Sequence, residues 1–452
     1  MLNNEYMKRP IIKSLSNGLK VVYVKFDGIE TTRFELIGRV GCNYENPDEF
    51  GVAHFLEHVL FDGSQKYPSR DKLKGLLLDL GYGGNGSTGR QYCNFDAHTL
   101  KKDIEIGFEY LSQLILEPLF SPGSVVRHKK VIDQEIKKRT NNPSAYLHEL
   151  LDDLLFDDEN RSRYIGGTVE GLQQITTEKI HDYWEKNYVG SNFVLGVCTD
   201  LPENKVFDLA EKFFSKMPVG LPNDRMKAFK KREDFAAGAS NRTDSKQAKV
   251  VVSYWAYEWD NPKRYPFSYV SHALGGSPIS RIPLRIRQDQ ALAYSVGSSY
   301  KVSSTHGLIS IDCSMDESKL IDVLKTFDEE ISKLKTYNVS DTEYSRVRNS
   351  VIANFVFKAE SPRGLIDYYT SCTIRGEQNK TIEDVINCYE RVEKDQIRET
   401  ANEIFSKEPK IAVLSRSITK EDIINAWGLN KIPPTKPKNI VKSPHKLDNN
   451  LQ

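Results

Sequence analysis

Short apolar or alternating runs give way to segments of helical period, and this order is laid down twice along a chain of 452 residues. In the first half, residues 20–25 and 33–40 are β-branched or alternating on either side of a turn at Asp27-Gly28, which predicts two strands. Residues 51–61 are almost wholly apolar or small and predict a buried helix. A helix at 70–80 and a hairpin of strands 82–88 and 91–100, turning at Gly89-Arg90, follow. Residues 104–115 place apolar side chains at helical spacing. Ser121-Pro122 supplies a cap and a first helical residue for a helix carrying Val125, Val126, Val131, Ile132 and Glu135. Helices at 177–188 and 202–215 flank a short buried strand at 192–198.

From residue 250 a similar order returns. It comprises a strand at 250–255, helices at 265–274 and 281–287, and hairpin strands at 294–302 and 308–313. Long helices at 319–334 and 342–357, a strand at 411–414 and a helical piece near Trp427 complete it. The halves read as degenerate copies of one unit. Between them lie Gly220, Pro222, Asn223, a basic run at 227–232 and Ala-Gly-Ala-Ser-Asn at 237–241. The expected organisation is therefore an N-terminal domain at 1–220, a linker at 221–246 and a C-terminal domain at 247–430. A tail at 431–452, rich in Pro, Lys and Asn, is expected to be disordered. Two domains suit this length.

The predicted buried helix contains the strongest chemical signal, His54-Phe55-Leu56-Glu57-His58, an H-x-x-E-H arrangement. Histidines four apart share one helical face. Catalytic zinc takes three protein ligands and leaves a fourth position for water. Glu57 lies in the same arc, where its carboxylate can take a proton from that water. A third ligand must come from elsewhere, and a carboxylate is the usual choice. The competing explanation is an amphipathic helix with incidental histidines. Its flanks, Gly51 to Ala53, Phe55, Leu56 and Val59 to Phe61, argue against that. A buried helix with two histidines and a glutamate carries a desolvation cost unless they share a ligand or hydrogen-bond partners.

Around this motif the chain resembles the pitrilysin/insulinase-type inverzincin peptidases, in the short class related to mitochondrial and bacterial processing peptidases. The resemblance rests on Ser16-Asn17-Gly18-Leu19-Lys20-Val21-Val22, on Gly41-Cys42-Asn43-Tyr44-Glu45-Asn46-Pro47, and on the run from Gly51 to Ser64 around the histidines. It implies an α+β fold of two homologous domains, each a mainly antiparallel sheet covered by helices. It also implies a zinc-dependent endopeptidase with one Zn²⁺ per chain, held by His54, His58 and Glu135, with Glu57 as general base. Glu135 stands at the family's spacing for its third ligand. Arg287 and Tyr294 match the family's arginine/tyrosine element, which holds the substrate backbone and the oxyanion. From the residues alone they read as structural. Asn85-Gly86-Ser87-Thr88 matches the strand along which such enzymes bind a peptide, as an added strand.

The sequence departs from the family in four places. His128 stands where a supporting acidic residue is common, so it either takes over that hydrogen bond or faces solvent beside Arg127, Lys129 and Lys130. Gly86 replaces an alanine in the substrate strand, leaving the backbone open to close approach. Cys93 and Phe95 replace a later Thr and Tyr, and Gln290-Ala291 replaces Arg-Gly. Short members of the family pair as two halves of a clamshell. Because this chain has both the metal motif and the Arg/Tyr element, the resemblance implies a homodimer, with a heterodimer with a sister subunit as the other possibility.

Composition narrows the classes. With 39% hydrophobic and 28% charged residues and a net charge of +1, the chain is an ordinary globular protein, not a nucleic-acid binder. No apolar run approaches the ~20 residues that cross a bilayer, so no membrane association is expected. The N-terminus has neither signal nor transit features, and six scattered cysteines suit a reducing compartment, which together favour the cytoplasm. An acidic excess in the first half, including Asp152, Asp153, Asp157, Asp158 and Glu159, reads as a solvated helix end or loop rather than a field that steers basic peptides. Two other functions stay open: a non-catalytic peptide-binding or assembly subunit of the same fold, and a non-peptidase zinc hydrolase. Leader-peptide removal, presequence-like processing and general oligopeptide degradation all fit as substrates.

Overall fold

Two twisted sheets, each with its own helices, carry the fold of the computed structural model, which describes residues 9–157, 163–223, 229–242, 247–377 and 380–427. The first sheet contains β1 (Ile11–Ser14), β2 (Lys20–Lys25), β3 (Thr31–Gly38), β4 (Gly83–Thr88), β5 (Cys93–Leu100) and β6 (Phe193–Thr199), in the order β1-β2-β6-β3-β5-β4. The second contains β7 (Ala236–Asn241), β8 (Ala248–Ala256), β9 (Ala293–Val302), β10 (Gly307–Met315) and β11 (Lys410–Ser415), in the order β7-β11-β8-β10-β9. Without β1 the two orders are the same. The parallel pair also recurs in place, β2 with β6 and β7 with β11, while the remaining pairs are antiparallel. The duplication that is faint in sequence is thus complete in topology.

The helices of the first half are α1 (Val52–Leu60), α2 (Arg70–Leu78), α3 (Ile104–Leu116), α4 (Pro122–Asn141), α5 (Pro143–Leu155), α6 (Val169–Gln173), α7 (Thr177–Asn187) and α8 (Glu203–Phe214). Those of the second are α9 (Arg264–Gly275), α10 (Arg281–Pro283), α11 (Leu320–Thr336), α12 (Asp341–Ala359), α13 (Pro362–Ile374), α14 (Ile382–Glu390), α15 (Lys394–Ile404) and α16 (Lys420–Ala426). Among the described residues no helix is long and apolar enough to cross a membrane.

Each sheet has two faces to cover, and the halves exchange one helix to do so. The α5 side chains Leu147, Leu151, Leu154 and Leu155 pack on Val251, Trp255, Leu308, Ala412 and Leu414 of the second sheet. In return, Leu365, Ile366 and Tyr369 of α13 pack on Val22, Val24, Ile37, Val194 and Cys198 of the first. The approach of α13 is so close that a Cβ at Gly196 of β6 would lie 2.3 Å from Thr370 and 2.6 Å from Ile366, so only glycine fits there. Glu35 of β3 is buried in the same contact, accepting hydrogen bonds from Thr370 and, at 2.5 Å, from Asn94.

The expected linker at 221–246 is corrected in part, because it contains β7. This strand looks like a linker because it is built of small residues. Gly238 faces Leu150 and Leu154 of α5, and a Cβ there would already sit 3.2 Å from Leu150. The acidic residues lie at a helix end as expected, Asp153 and Asp157 exposed and Asp152 half-buried. Asp152 pairs with Arg90 at 2.7 Å, and Asp157 with Lys230 and Arg232 at 3.3 and 3.5 Å. Their charge ties α5 to neighbouring segments. Asp158, Glu159 and the expected tail at 431–452 lie outside the described residues.

Candidate metal centre

Helix α1 is set in place at its first turn. Its cap, Gly51, has no side chain and adopts φ +88°, a conformation that favours glycine. A Cβ there would meet the Gly166 carbonyl oxygen at 2.8 Å. The cap is supplied instead by Glu45, whose buried carboxylate accepts the Gly51 and Ala53 N–H groups at 3.1 and 2.8 Å. An acceptor at this end satisfies orphan donors and complements the helix dipole. Burial pushes the Glu45 carboxyl up to about 8 despite these bonds. Below the cap, Val52, Ala53, Phe55, Leu56, Val59 and Leu60 are buried, so the helix is locked by packing.

His54 and His58 project from α1, with ring centroids 4.8 Å apart. Glu135 reaches them from α4, a helix capped by Ser121 and anchored by buried Ile132. Its Oε2 lies 3.7 Å from His54 Nε2 and 3.6 Å from His58 Nε2. Burial lowers the His54 imidazole to about 4; burial, with His54, His128 and Arg70 nearby, lowers His58 to about 3. Both rings are therefore neutral near pH 7. At these distances neither ring donates a hydrogen bond to the carboxylate, so three electron-rich atoms face one another across a small gap. Ligands on a tetrahedral zinc with bonds of about 2.0–2.1 Å are roughly 3.3–3.5 Å apart. The donor set fits such an ion. A second cluster, His181, Asp182 and Glu185 on α7, has no buried member and no comparable enclosure.

Glu57 stands apart from this set. Thr88 Oγ1 donates a hydrogen bond to its Oε2 at 2.8 Å, and burial raises the Glu57 carboxyl above its ordinary value. Thr88 was expected to line the substrate strand; instead its side chain is buried and orients Glu57. Gly86 is also inward-facing, where a Cβ would meet the Phe61 ring at 2.8 Å. Asn85 and Ser87 are exposed, and β4 is an edge strand paired with β5 on one side only. Cys93 and Phe95 are core residues of β5.

His128 is not solvent-facing. It is 2% exposed, its Nε2 lies 2.7 Å from Asp62 Oδ2, and its ring centroid is 5.4 Å from that of His58. Asp62 also accepts hydrogen bonds from Ser124 and, at 2.7 Å, from Arg127. Burial pushes the Asp62 carboxyl up, but His128, Ser124 and Arg127 outweigh it and hold it down at about 2. An acidic residue thus does stand behind the site, contributed by the turn after α1 rather than by α4. Sequence reading passed over Asp62 and Glu45, although both lie in the stretches that carry the family resemblance.

Arg287 and Tyr294 are not brought to this site. Both are exposed, Tyr294 by 72%, and neither contacts His54, His58 or Glu135 among the described residues. The expected helix at 281–287 is a single α-turn, α10, running into a π-helical segment Leu284–Asp289. Ala291 then takes φ +49°, a left-handed conformation costing about 1–2 kcal/mol for a residue with a Cβ. π-Helical turns and such strain concentrate at functional segments. Tyr294 lies on β9, the counterpart in the second sheet of edge strand β4.

Comparison with known proteins agrees with this architecture. Residues 20–169 match the insulinase family, peptidase family M16, and residues 174–351 match the peptidase M16 inactive domain. An uncharacterized zinc protease of Rickettsia felis is 25% identical over 404 residues, covering 89% of this chain and 97% of its own. The mitochondrial-processing peptidase subunit beta of Saccharomyces cerevisiae is 22% identical over 414 residues, covering 87% and 88%. The crystal structure of a protease from Helicobacter pylori superposes with a TM-score of 0.84 at 17% identity, over 91% of this chain and all of that one. Sequence, relatives and fold thus converge, and the chain belongs to peptidase family M16.

Proposed function

We propose that this chain is a zinc-dependent endopeptidase that cleaves peptides or unfolded segments. The observation that carries the reading is the convergence of His54 Nε2, His58 Nε2 and Glu135 Oε2, with Glu57 held beside them by Thr88. His54, His58 and Glu135 would hold the ion. When bound, zinc supplies a Lewis acid that polarises a carbonyl and makes a water nucleophilic near neutral pH. Glu57 takes the proton of the attacking water and returns it to the leaving amine. The free edge of β4 accepts the extended substrate as an added strand, with Asn85 and Ser87 facing outward. The relatives named zinc proteases support this reading. The purified chain is expected to carry about one zinc per molecule, to lose cleavage of unfolded peptides on chelation and to regain it with zinc. Cleavage that survives complete zinc removal overturns the reading.

Arg287 and Tyr294 then act from a second chain, across a homodimer enclosing the substrate; a sister subunit is the other candidate. Support comes from their exposure on the second half, away from this chain's own metal set. Glu57→Gln and Arg287→Ala chains are each expected to be inactive alone. Mixed after dissociation, they pair at random, half the dimers hold one intact site of two, and about a quarter of wild-type activity returns. No recovery in a mixture shown to contain mixed dimers removes the shared-site arrangement.

A further inference from the structure

Tyr164, in the loop between α5 and α6, presents a phenol at the metal centre that neither the motif nor the Arg/Tyr element accounts for. Its ring centroid lies 6.2 Å from that of His54, edge to face. The Arg139 guanidinium sits over the ring, 4.6 Å from the centroid. Arg139 is one turn beyond Glu135 on α4, so the ring lies along the face that carries the third ligand. Gly166 fills the space between this ring and His54: a Cβ there would be 2.7 Å from the Tyr164 ring and 3.2 Å from His54 Nδ1. The ring is thus fixed by Arg139, His54 and Gly166.

The hydroxyl is left over. It makes no hydrogen bond to another described residue, whereas tyrosines held this firmly usually find a partner. An ordinary phenol is a protonated donor near pH 7, and this one is half-buried beside His54 with no acceptor among the described residues.

We infer that Tyr164 donates its hydroxyl hydrogen to the scissile carbonyl oxygen as the carbon becomes tetrahedral, from within the same chain that holds His54, His58 and Glu135. This rests on the peptidase reading above and deepens it: Arg287 and Tyr294 come from the second half, while Tyr164 is built into the metal domain. A donor directed at the developing charge contributes chiefly to the transition state.

Tyr164→Phe tests it, because the phenyl ring keeps the Arg139 and His54 contacts and only the hydroxyl goes. Two probes separate the states: a peptide that the wild-type chain cleaves, and its phosphinic isostere, whose tetrahedral phosphinate replaces the scissile amide. Binding is measured by calorimetry, the peptide on a Glu57→Gln background. Tyr164→Phe is expected to weaken the phosphinate and lower kcat by about 100-fold, leaving peptide affinity and zinc content unchanged within about twofold. Equal phosphinate affinity in both chains overturns the inference. So does a drop in zinc content with no change in the ratio of phosphinate to peptide affinity, which makes Tyr164 a support for Glu135 instead. A wild-type chain that binds neither zinc nor phosphinate overturns the peptidase reading itself, an outcome distinct from the other two.

Discussion

Replacing Glu57 with Gln is expected to lower kcat by about 10³-fold while zinc content and KM stay near wild type. Three features separate this residue from its neighbours. Its carboxylate is not among the three groups that converge, His54, His58 and Glu135, so zinc binding is not expected to depend on it. Its hydrogen bond from Thr88 at 2.8 Å can be made equally by the oxygen of a glutamine, so side-chain geometry is preserved. What glutamine cannot do is take a proton. The raised Glu57 carboxyl is a stronger base than a solvated carboxylate, in the direction that proton abstraction near neutral pH requires. Zinc analysis and steady-state kinetics on the same preparation check the expectation. A zinc-loaded Glu57→Gln chain with wild-type kcat removes Glu57 from the chemistry, and one that loses zinc makes it part of the metal set.

The metal motif was legible in the sequence because it is local. Two histidines four apart need only a helix to meet, and the flanking apolar residues showed that the helix is buried. Glu135 was legible only through resemblance, since nothing between residues 58 and 135 dictates that α4 returns to α1. The supports were hidden for a different reason. Asp62 and Glu45 are single carboxylates in turns, and their meaning depends on what folds over them: α4 with His128 in one case, the N-terminus of α1 in the other. Helix α13 is hidden in the sequence for a third reason. The buried face of α13 includes Thr370, Cys372 and Thr373 beside Leu365, Ile366 and Tyr369, so polar letters interrupt its apolar stripe. Its partners lie in the first sheet, more than 150 residues away in sequence. Strand β7 reads as a linker because its small residues admit α5.

That exchange of helices makes the halves interdependent, and neither is expected to fold when expressed alone. A fragment ending at residue 228 retains β2, β3 and β6 but lacks α13. It would leave Val22, Val24, Ile37, Val194 and Cys198 open to water, together with the flat surface at Gly196, and α5 would have no sheet to cover. Exposed apolar patches of this kind drive association. The complementary fragment from residue 229 lacks α5 and bares Val251, Trp255, Leu308 and Leu414. Each fragment alone is expected to be insoluble or molten, with weak near-ultraviolet dichroism, and co-expression is expected to return a soluble pair with native spectra. In the intact chain, Ile366→Ala removes a fully buried side chain from the exchanged helix and is expected to cost about 2–5 kcal/mol in denaturant unfolding. The two sheets should unfold together rather than in separate steps, because the loss of α13 uncovers one sheet and unseats the helix that covers the other. A soluble, monomeric 1–228 fragment that unfolds cooperatively would show that the first sheet does not need its borrowed helix, and the domains would then be independent units joined at β7.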